Sequence, residues 1–263
     1  MEFISSYVSS LIASAIVYPI DVIKTQYQVS NINKGLQTNS YQLTKKLYVD
    51  NGMNGFFMGL TPNLLTYPIF WATFFQTKKL DYKPTGYEYV DKCYMAFLSS
   101  GVASTIANPL FVFKTRMQTN NLNNNINTNY FVLVKSMYNN EGLSSFMKGL
   151  GPTLANNSKL VIQFPLYDYL KTKNDSVFLS SLISKTLAST IFYPFDLIRI
   201  NQRESVSKLS FIDATKKVYY GTIKNSKPTF LNFYKGVVLY NFVTAPNFII
   251  MMLLIEHVFY TNK

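Results

Sequence analysis

The sequence has little charge. Aspartate, glutamate, lysine and arginine make up 14% of its 263 residues, against roughly 25% in an ordinary soluble domain, and they are absent from whole windows. Residues 3–20, 59–77, 93–113 and 237–255 contain none, 149–167 is interrupted only by Lys159, and 176–195 only by Lys185. Each window has about the 18 or more residues that carry a helix across a hydrocarbon core roughly 30 Å thick. Six crossings are therefore expected, with both termini on one side. A soluble helical bundle would instead show a charged outer face at every turn.

Other scarcities narrow the function. A single cysteine, Cys93, excludes an intramolecular disulfide framework. The single histidine, His257, has no Ser-His-acid, metal-ligand or Walker spacing around it, so neither an enzyme nor a bound metal or cofactor is expected. No Arg-rich transit segment or cleavage site precedes the first window, which leaves any targeting information inside the mature chain. Acids are scarcer than bases, giving a net charge of +12. The excess falls in three gaps between windows: Lys34, Lys45 and Lys46; Lys135 and Lys148; and Lys208, Lys216, Lys217, Lys224, Lys227 and Lys235. Those gaps share one side of a six-crossing chain, which is a topological bias and not the basic arm or helix of a nucleic-acid binder.

What is present is a repeat. "PIDVIKTQ" from Pro19 returns as "PLFVFKTR" from Pro109 and "PFDLIRIN" from Pro194. A second landmark, "GFFMGL", "SFMKGL" and "NFYKGV", keeps Gly59, Gly149 and Gly236 in register. Each unit reads as a long helix with proline near its end, a polar loop, a glycine and a second long helix. The loops hold amphipathic stretches, "YQLTKKLYVDNG" and "YFVLVKSMYNNEG", suited to a membrane surface. The Asn-rich run 120–129 reads as a tolerated insertion.

The triplicated Pro-x-(Asp/Glu)-x-x-(Lys/Arg) pattern resembles the mitochondrial carrier family over essentially the whole chain. The resemblance implies an all-α membrane protein forming one domain over 1–263. Its repeats would run from about 1–85, 86–174 and 175–263, each with two transmembrane helices and a short matrix-side amphipathic helix. The six helices would form a pseudo-threefold barrel around a central cavity. It further implies a multi-pass place in the mitochondrial inner membrane, or in a related organelle, with termini on the intermembrane-space side. A monomer surrounded by lipids, cardiolipin among them, with a small-molecule substrate and no nucleic-acid partner, is expected.

Helical spacing puts Asp21, Lys24 and Gln28 on one stripe, as it does Lys114 and Gln118, and Asp196, Arg199 and Arg203. Charges inside a membrane face a bundle interior and pair there. By resemblance, the kinks at Pro19, Pro109 and Pro194 close a matrix gate in which Asp21 pairs with Lys114 and Asp196 with Lys24. Phe111 stands where a third acid belongs, so Arg199 lacks its partner. Glutamine braces are expected at Gln28 and Gln118 and fail at Arg203. The alternative for these charges is a local contact within one helix, three residues apart. The outer gate is thinner, keeping Tyr167, Asp168 and Lys171 on the fourth helix but only Glu256 on the sixth and no acid in "FFQTKK" on the second.

Extending the stripes upward gives Ser10 and Ser14, Ser100 and Ser104, then Lys185 and Ser189. The family's substrate contacts fall seven and eight residues after each landmark glycine, at Thr66 and Tyr67, Asn156 and Asn157, and Val243 and Thr244. On the fourth helix Asn156, Lys159, Gln163 and Tyr167 form a polar stripe. Lys159 and Lys185 suit a phosphate or carboxylate, with Tyr67, Asn157 and Asn247 contacting a larger body. A nucleotide or other phosphorylated anion, exchanged by alternating access, is the favoured substrate. Two alternatives stay open: an amino acid or carboxylate carrier, and a degenerate carrier acting as a proton leak or membrane partner.

Overall fold

A computed structural model describes residues 2–33, 39–80, 82, 84–119, 130–174, 176–207, 209–220 and 229–260. Among these every regular element is helical. Six long helices are α1 (Glu2–Asn33), α3 (Leu60–Lys78), α4 (Glu88–Thr119), α6 (Leu150–Asn174), α7 (Val177–Glu204) and α9 (Val237–Tyr260). Three short ones, α2 (Ser40–Asn51), α5 (Tyr130–Glu141) and α8 (Phe211–Tyr220), lie between the members of each pair. The long helices close a ring, each packing on its two neighbours in the order α1, α3, α4, α6, α7, α9 and back to α1.

The ring is inside out relative to a soluble bundle, and the first long helix of each repeat, α1, α4 and α7, shows it in register. Five residues before each proline, Ser14, Ser104 and Ser189 are 2%, 0% and 1% exposed. Three residues before it, Ile16, Ile106 and Ile191 are 61%, 55% and 55% exposed. The isoleucines extend outward stripes at four-residue spacing: Val8, Ile12 and Ile16 on α1, Leu98, Val102 and Ile106 on α4, and Leu179, Ile183, Leu187 and Ile191 on α7. Apolar surface of this extent around a polar interior is what lipid stabilises. By length and mean hydropathy alone, two segments of the described residues pass as spans, Glu88–Thr119 and Phe230–Ile255. The others are diluted by the polar residues that their inner faces carry, such as Asp21, Lys24 and Gln28 on α1.

Chain direction gives the ring two ends. The proline end holds Pro19, Pro109 and Pro194, through which α1, α4 and α7 run as unbroken helices, together with α2, α5 and α8. The terminal end holds the starts of α1, α4 and α7 and the ends of α3, α6 and α9. The short helices dock by few apolar residues, Leu43 and Leu47 on α2 and Ala214 and Val218 on α8.

The landmark glycines join the two motifs of each repeat. Gly59, Gly149 and Gly236 have φ of +77°, +73° and +88° just before α3, α6 and α9, a region open to glycine at little cost. Space forbids a side chain as well. A Cβ on Gly59 would lie 3.0 Å from the Tyr18 hydroxyl, and one on Gly236 would lie 3.0 Å from that of Tyr193. Those hydroxyls donate to the carbonyl oxygens just before each glycine, Tyr18 to Met58 and Tyr193 to Lys235, both at 2.6 Å. Asn108, in the same register, donates to Phe146 O at 2.9 Å.

Candidate functional site

The ring encloses a cavity that, with the open space continuous with it, holds about 1130 Å³. Its wall repeats with the glycine register. Residues four after each glycine, Asn63, Thr153 and Tyr240, all line it, and so do Phe70, Leu160 and Asn247, eleven after. Sequence reading missed the first set, although the register that located Tyr67 and Asn157 locates these as well.

Of the expected substrate contacts, Tyr67, Asn157, Lys159, Lys185, Val243, Thr244 and Asn247 line the cavity. Thr66, Asn156 and Gln163 do not, which corrects the expectation for them. Thr66 is turned into its own helix, its hydroxyl donating to Pro62 O at 2.5 Å. Gln163 stands behind Lys185 and accepts from its Nζ at 3.4 Å. Asn156, its amide oriented with the oxygen toward the cations, accepts from Lys159 Nζ at 3.1 Å and from Arg199 at 3.3 Å and donates to Phe192 O at 3.2 Å. Asn156 and Gln163 therefore contact cations of the wall, whereas Thr66 bonds its own helix. In α3 and α6 the wall falls eight residues after the glycine, whereas α9 presents both Val243 and Thr244. Asn157 also donates to Ser100 O at 3.0 Å and to the Ser104 hydroxyl, fixing α6 against α4. The side chain of Ser10 lies outside the described residues.

At the proline end one expected ion pair forms and one does not. Asp21 meets Lys114 at 2.7 Å across α1 and α4. Lys24 does not reach Asp196. It meets Asp21 of its own helix at 2.8 Å and lies over the Tyr240 ring, 5.2 Å from the centroid. Asp196 is taken by Arg199, also of its own helix. The local contact held as an alternative therefore applies to Lys24 and Arg199, and the reason is the missing acid. With Phe111 in the third acid's place, Arg199 satisfies itself locally on Asp196, and Asp21 is left to hold two lysines.

The braces follow the register more closely than expected. Gln118 donates to the Tyr18 hydroxyl at 3.3 Å and to Asp21 at 3.2 Å, and Gln28 donates to Tyr193 and Asp196 at the same two distances. Arg203, where the brace was expected to fail, reaches the equivalent partners. It donates to Asn108 at 3.0 Å and to the Thr153 hydroxyl at 3.0 Å, and its guanidinium lies over the Phe111 ring, 5.0 Å from the centroid. A cation on a ring replaces a neutral amide on a carboxylate.

The terminal end is closed by rings. Trp71 of α3, Phe164 of α6 and Phe248 of α9 meet pairwise with centroids 6.1 to 6.4 Å apart. Phe74 stacks on Phe164 at 5.1 Å, and Tyr167 meets Phe248 edge-on at 6.4 Å. Lys78, in the stretch that lacks an acid, lies over Phe164, 4.4 Å from its centroid. The thin outer gate expected from charged motifs is thus filled by packing, whose signal was "FWATFF" itself. Asp168 and Lys171 are half-buried. The side chains of Glu256 and His257, like the run 120–129, lie outside the described residues.

Six cations line the cavity, Lys24, Lys114, Lys159, Lys185, Arg199 and Arg203, against one carboxylate, Asp21. Lys159 is held by a hydrogen bond to the Tyr240 hydroxyl at 3.2 Å, and Lys185 lies over the Phe248 ring, 5.2 Å from its centroid. Neither makes an ion pair among the described residues. Both are ammonium groups fixed in a wall with their charge unanswered, as a site for an anion requires.

Comparison with known proteins agrees with this geometry. A family model described as mitochondrial carrier protein matches residues 1–80 and 86–175. The chain is 32% identical over 265 residues to nicotinamide adenine dinucleotide transporter 1, chloroplastic, of Arabidopsis thaliana, covering 87% of this chain and 81% of that one. It is 27% identical over 290 residues to mitochondrial substrate carrier family protein M of Dictyostelium discoideum, covering 98% and 94%. To nicotinamide adenine dinucleotide transporter 2, mitochondrial, of Arabidopsis thaliana it is 29% identical over 218 residues, covering 73% and 60%.

Proposed function

The chain belongs to the mitochondrial carrier family, and we propose that it exchanges a nucleotide-like anion, with a dinucleotide such as nicotinamide adenine dinucleotide as the first to test, across the mitochondrial inner membrane. The observation that carries this reading is the cavity wall of six cations and one carboxylate. With Asp196 meeting Arg199 from behind the wall, an excess of four positive charges remains, and it favours a ligand with more than one negative charge, as a pyrophosphate has. Aromatic lining from Tyr67, Phe70, Trp71 and Tyr240 offers faces to planar bases, and two of the relatives described above are named as dinucleotide transporters. An amino acid or monocarboxylate answers less of the charge. A degenerate leak fits poorly with two ends that are each closed by dedicated contacts.

Alternating access follows from those two closures. The proline end faces the matrix and opens when the contacts of Asp21, Gln28, Gln118 and Arg203 separate. The terminal end, carrying both chain termini, faces the intermembrane space and opens when the rings of α3, α6 and α9 part. Lys159 and Lys185 hold the solute's phosphates meanwhile, as point charges that tolerate several phosphate geometries. The protein works as a monomer, with membrane lipids, cardiolipin among them, against the outward stripes.

Exchange in proteoliposomes tests the reading. Saturable uptake of labelled dinucleotide against internal nucleotide is expected. Lys159→Ala and Lys185→Ala should each lower uptake efficiency about ten- to a hundredfold, the loss of one charged hydrogen bond worth about 1.5–3 kcal/mol. Solute-independent conductance, or uptake indifferent to both substitutions, would overturn it.

A further inference from the structure

The proline end carries more positive charge than its own acids answer. Lys24, Lys114, Arg199 and Arg203 converge there, and the carboxylates that meet them among the described residues are Asp21 and Asp196. The deficit falls at one corner. Phe111 stands two residues after Pro109, where Asp21 and Asp196 follow Pro19 and Pro194.

Arg199 and Arg203 both line the cavity at that corner. They sit one turn apart on α7, a spacing that brings side chains to about 5–6 Å at Cβ. Arg203 is 3% exposed, and its hydrogen bonds go to neutral oxygens, Asn108 Oδ1 and Thr153 Oγ1. The Nε atoms of both arginines are buried without a hydrogen-bond partner among the described residues. A buried guanidinium with only neutral partners and an orphaned donor is unfavourable unless an anion joins it. Arg203 presents such a forked donor set, and Arg199, although paired with Asp196, brings a second guanidinium with an unpartnered Nε one turn away, an arrangement that phosphate oxygens match.

We propose that the cavity floor between Arg199 and Arg203 binds a phosphate group, which supplies the negative charge absent at Phe111 and lets the proline end close fully only when it is occupied. The Thr153 hydroxyl stands beside the same site, and Phe111 backs Arg203 from the other side. In this reading the solute, or free phosphate, completes the gate as its third acid. The inference rests on the transport reading only for the source of the phosphate, which is either the carried nucleotide or inorganic phosphate.

Thermal unfolding of the full chain in detergent tests it without transport. Inorganic phosphate at a tenfold excess over its Kd should raise the midpoint by about 3–6 °C, and a nucleoside without phosphate should not. Arg203→Gln, which installs the brace residue of the other two corners, should abolish the response. Phe111→Asp should raise the midpoint in the absence of phosphate and also abolish the response, while Phe111→Leu should keep it. A shift by nucleotide alone that Arg203→Gln removes assigns the phosphate to the carried solute. A shift by inorganic phosphate that Arg203→Gln removes assigns it to the free ion. A response of equal size in wild type and Arg203→Gln, or none in wild type to either ligand, overturns the proposal. Failure of exchange with the shift intact removes the transport reading and leaves the site; exchange without the shift removes the site alone.

Discussion

The two ends of this cavity are closed by different physics. At the proline end, closure is a set of directed contacts: Asp21 to Lys24 and Lys114, Gln118 to Tyr18 and Asp21, Gln28 to Tyr193 and Asp196. At the terminal end it is a cluster of rings, Trp71, Phe74, Phe164, Tyr167 and Phe248, packed with Met251, Met252 and Ile255. Directed contacts demand particular residue types at fixed register and so leave a motif. Ring packing demands volume and apolarity, which many sequences satisfy, and so leaves none. Counting acids and bases therefore sees one end of this protein and underestimates the other.

The largest expected effect breaks the proline end. Asp21 is the sole carboxylate of the cavity wall and the one ion-pair partner of both lysines among the described residues. Asp21→Asn leaves two buried ammonium groups unanswered, and removal of one partner from a buried pair destabilises by about 3–5 kcal/mol. Thermal unfolding in detergent should show the loss. At the terminal end, Phe164→Leu keeps most of the volume but removes ring contacts to Trp71, Phe74 and Phe248. Each aromatic pair is worth about 0.5–1.5 kcal/mol beyond its area, so the three together set a loss of about 1.5–4.5 kcal/mol. Equal losses for the two substitutions would remove the contrast between the ends.

What the sequence made legible follows the same division. Six helices, the repeat and the glycines could all be read from spacing, because each depends on local geometry repeated three times, whereas the pairing of Asp21 with Lys114 was an implication of the family resemblance. Asn63, Thr153 and Tyr240 were legible by the same register and were overlooked. That Lys24 would not pair with Asp196 was not legible, since it depends on the charge count of the whole end. One acid missing at Phe111 redirects Arg199 to Asp196 and leaves Lys24 on Asp21. The contact of Arg203 with Phe111 and Asn108 was hidden for a related reason. A motif names the residues it expects, and here both partners of the third brace changed together, from amide and carboxylate to guanidinium and ring.

A smaller effect sharpens the comparison between repeats. Tyr18→Phe and Tyr193→Phe each remove a hydroxyl that donates to the carbonyl before a landmark glycine and accepts from a brace glutamine. Each should lower stability by about 1 kcal/mol, and the two losses should match because their geometry matches. Asn108→Ala should exceed them, since it also strips one neutral partner from Arg203. Unfolding midpoints of the three variants under one condition decide this.

The last effect is pH-dependent: the proline end has a clamp that ties α4 and α5 to the end of α7. Glu141 meets Arg116 and Lys148, and these cations donate onward to the carbonyl oxygens of Arg203, Ser205 and Val206. Burial raises the Glu141 pKa, but hydrogen bonds from Arg116 and Lys148 outweigh it and hold the carboxyl below its ordinary value. With the folded-state value lowered, its contribution is complete above the unfolded value of about 4.3 and is lost as pH falls through the folded one. Wild type should therefore unfold at a higher temperature than Glu141→Gln at pH 6. The difference should shrink toward zero as pH drops below about 4, while the loss caused by Phe164→Leu stays constant across the same range, because rings do not titrate.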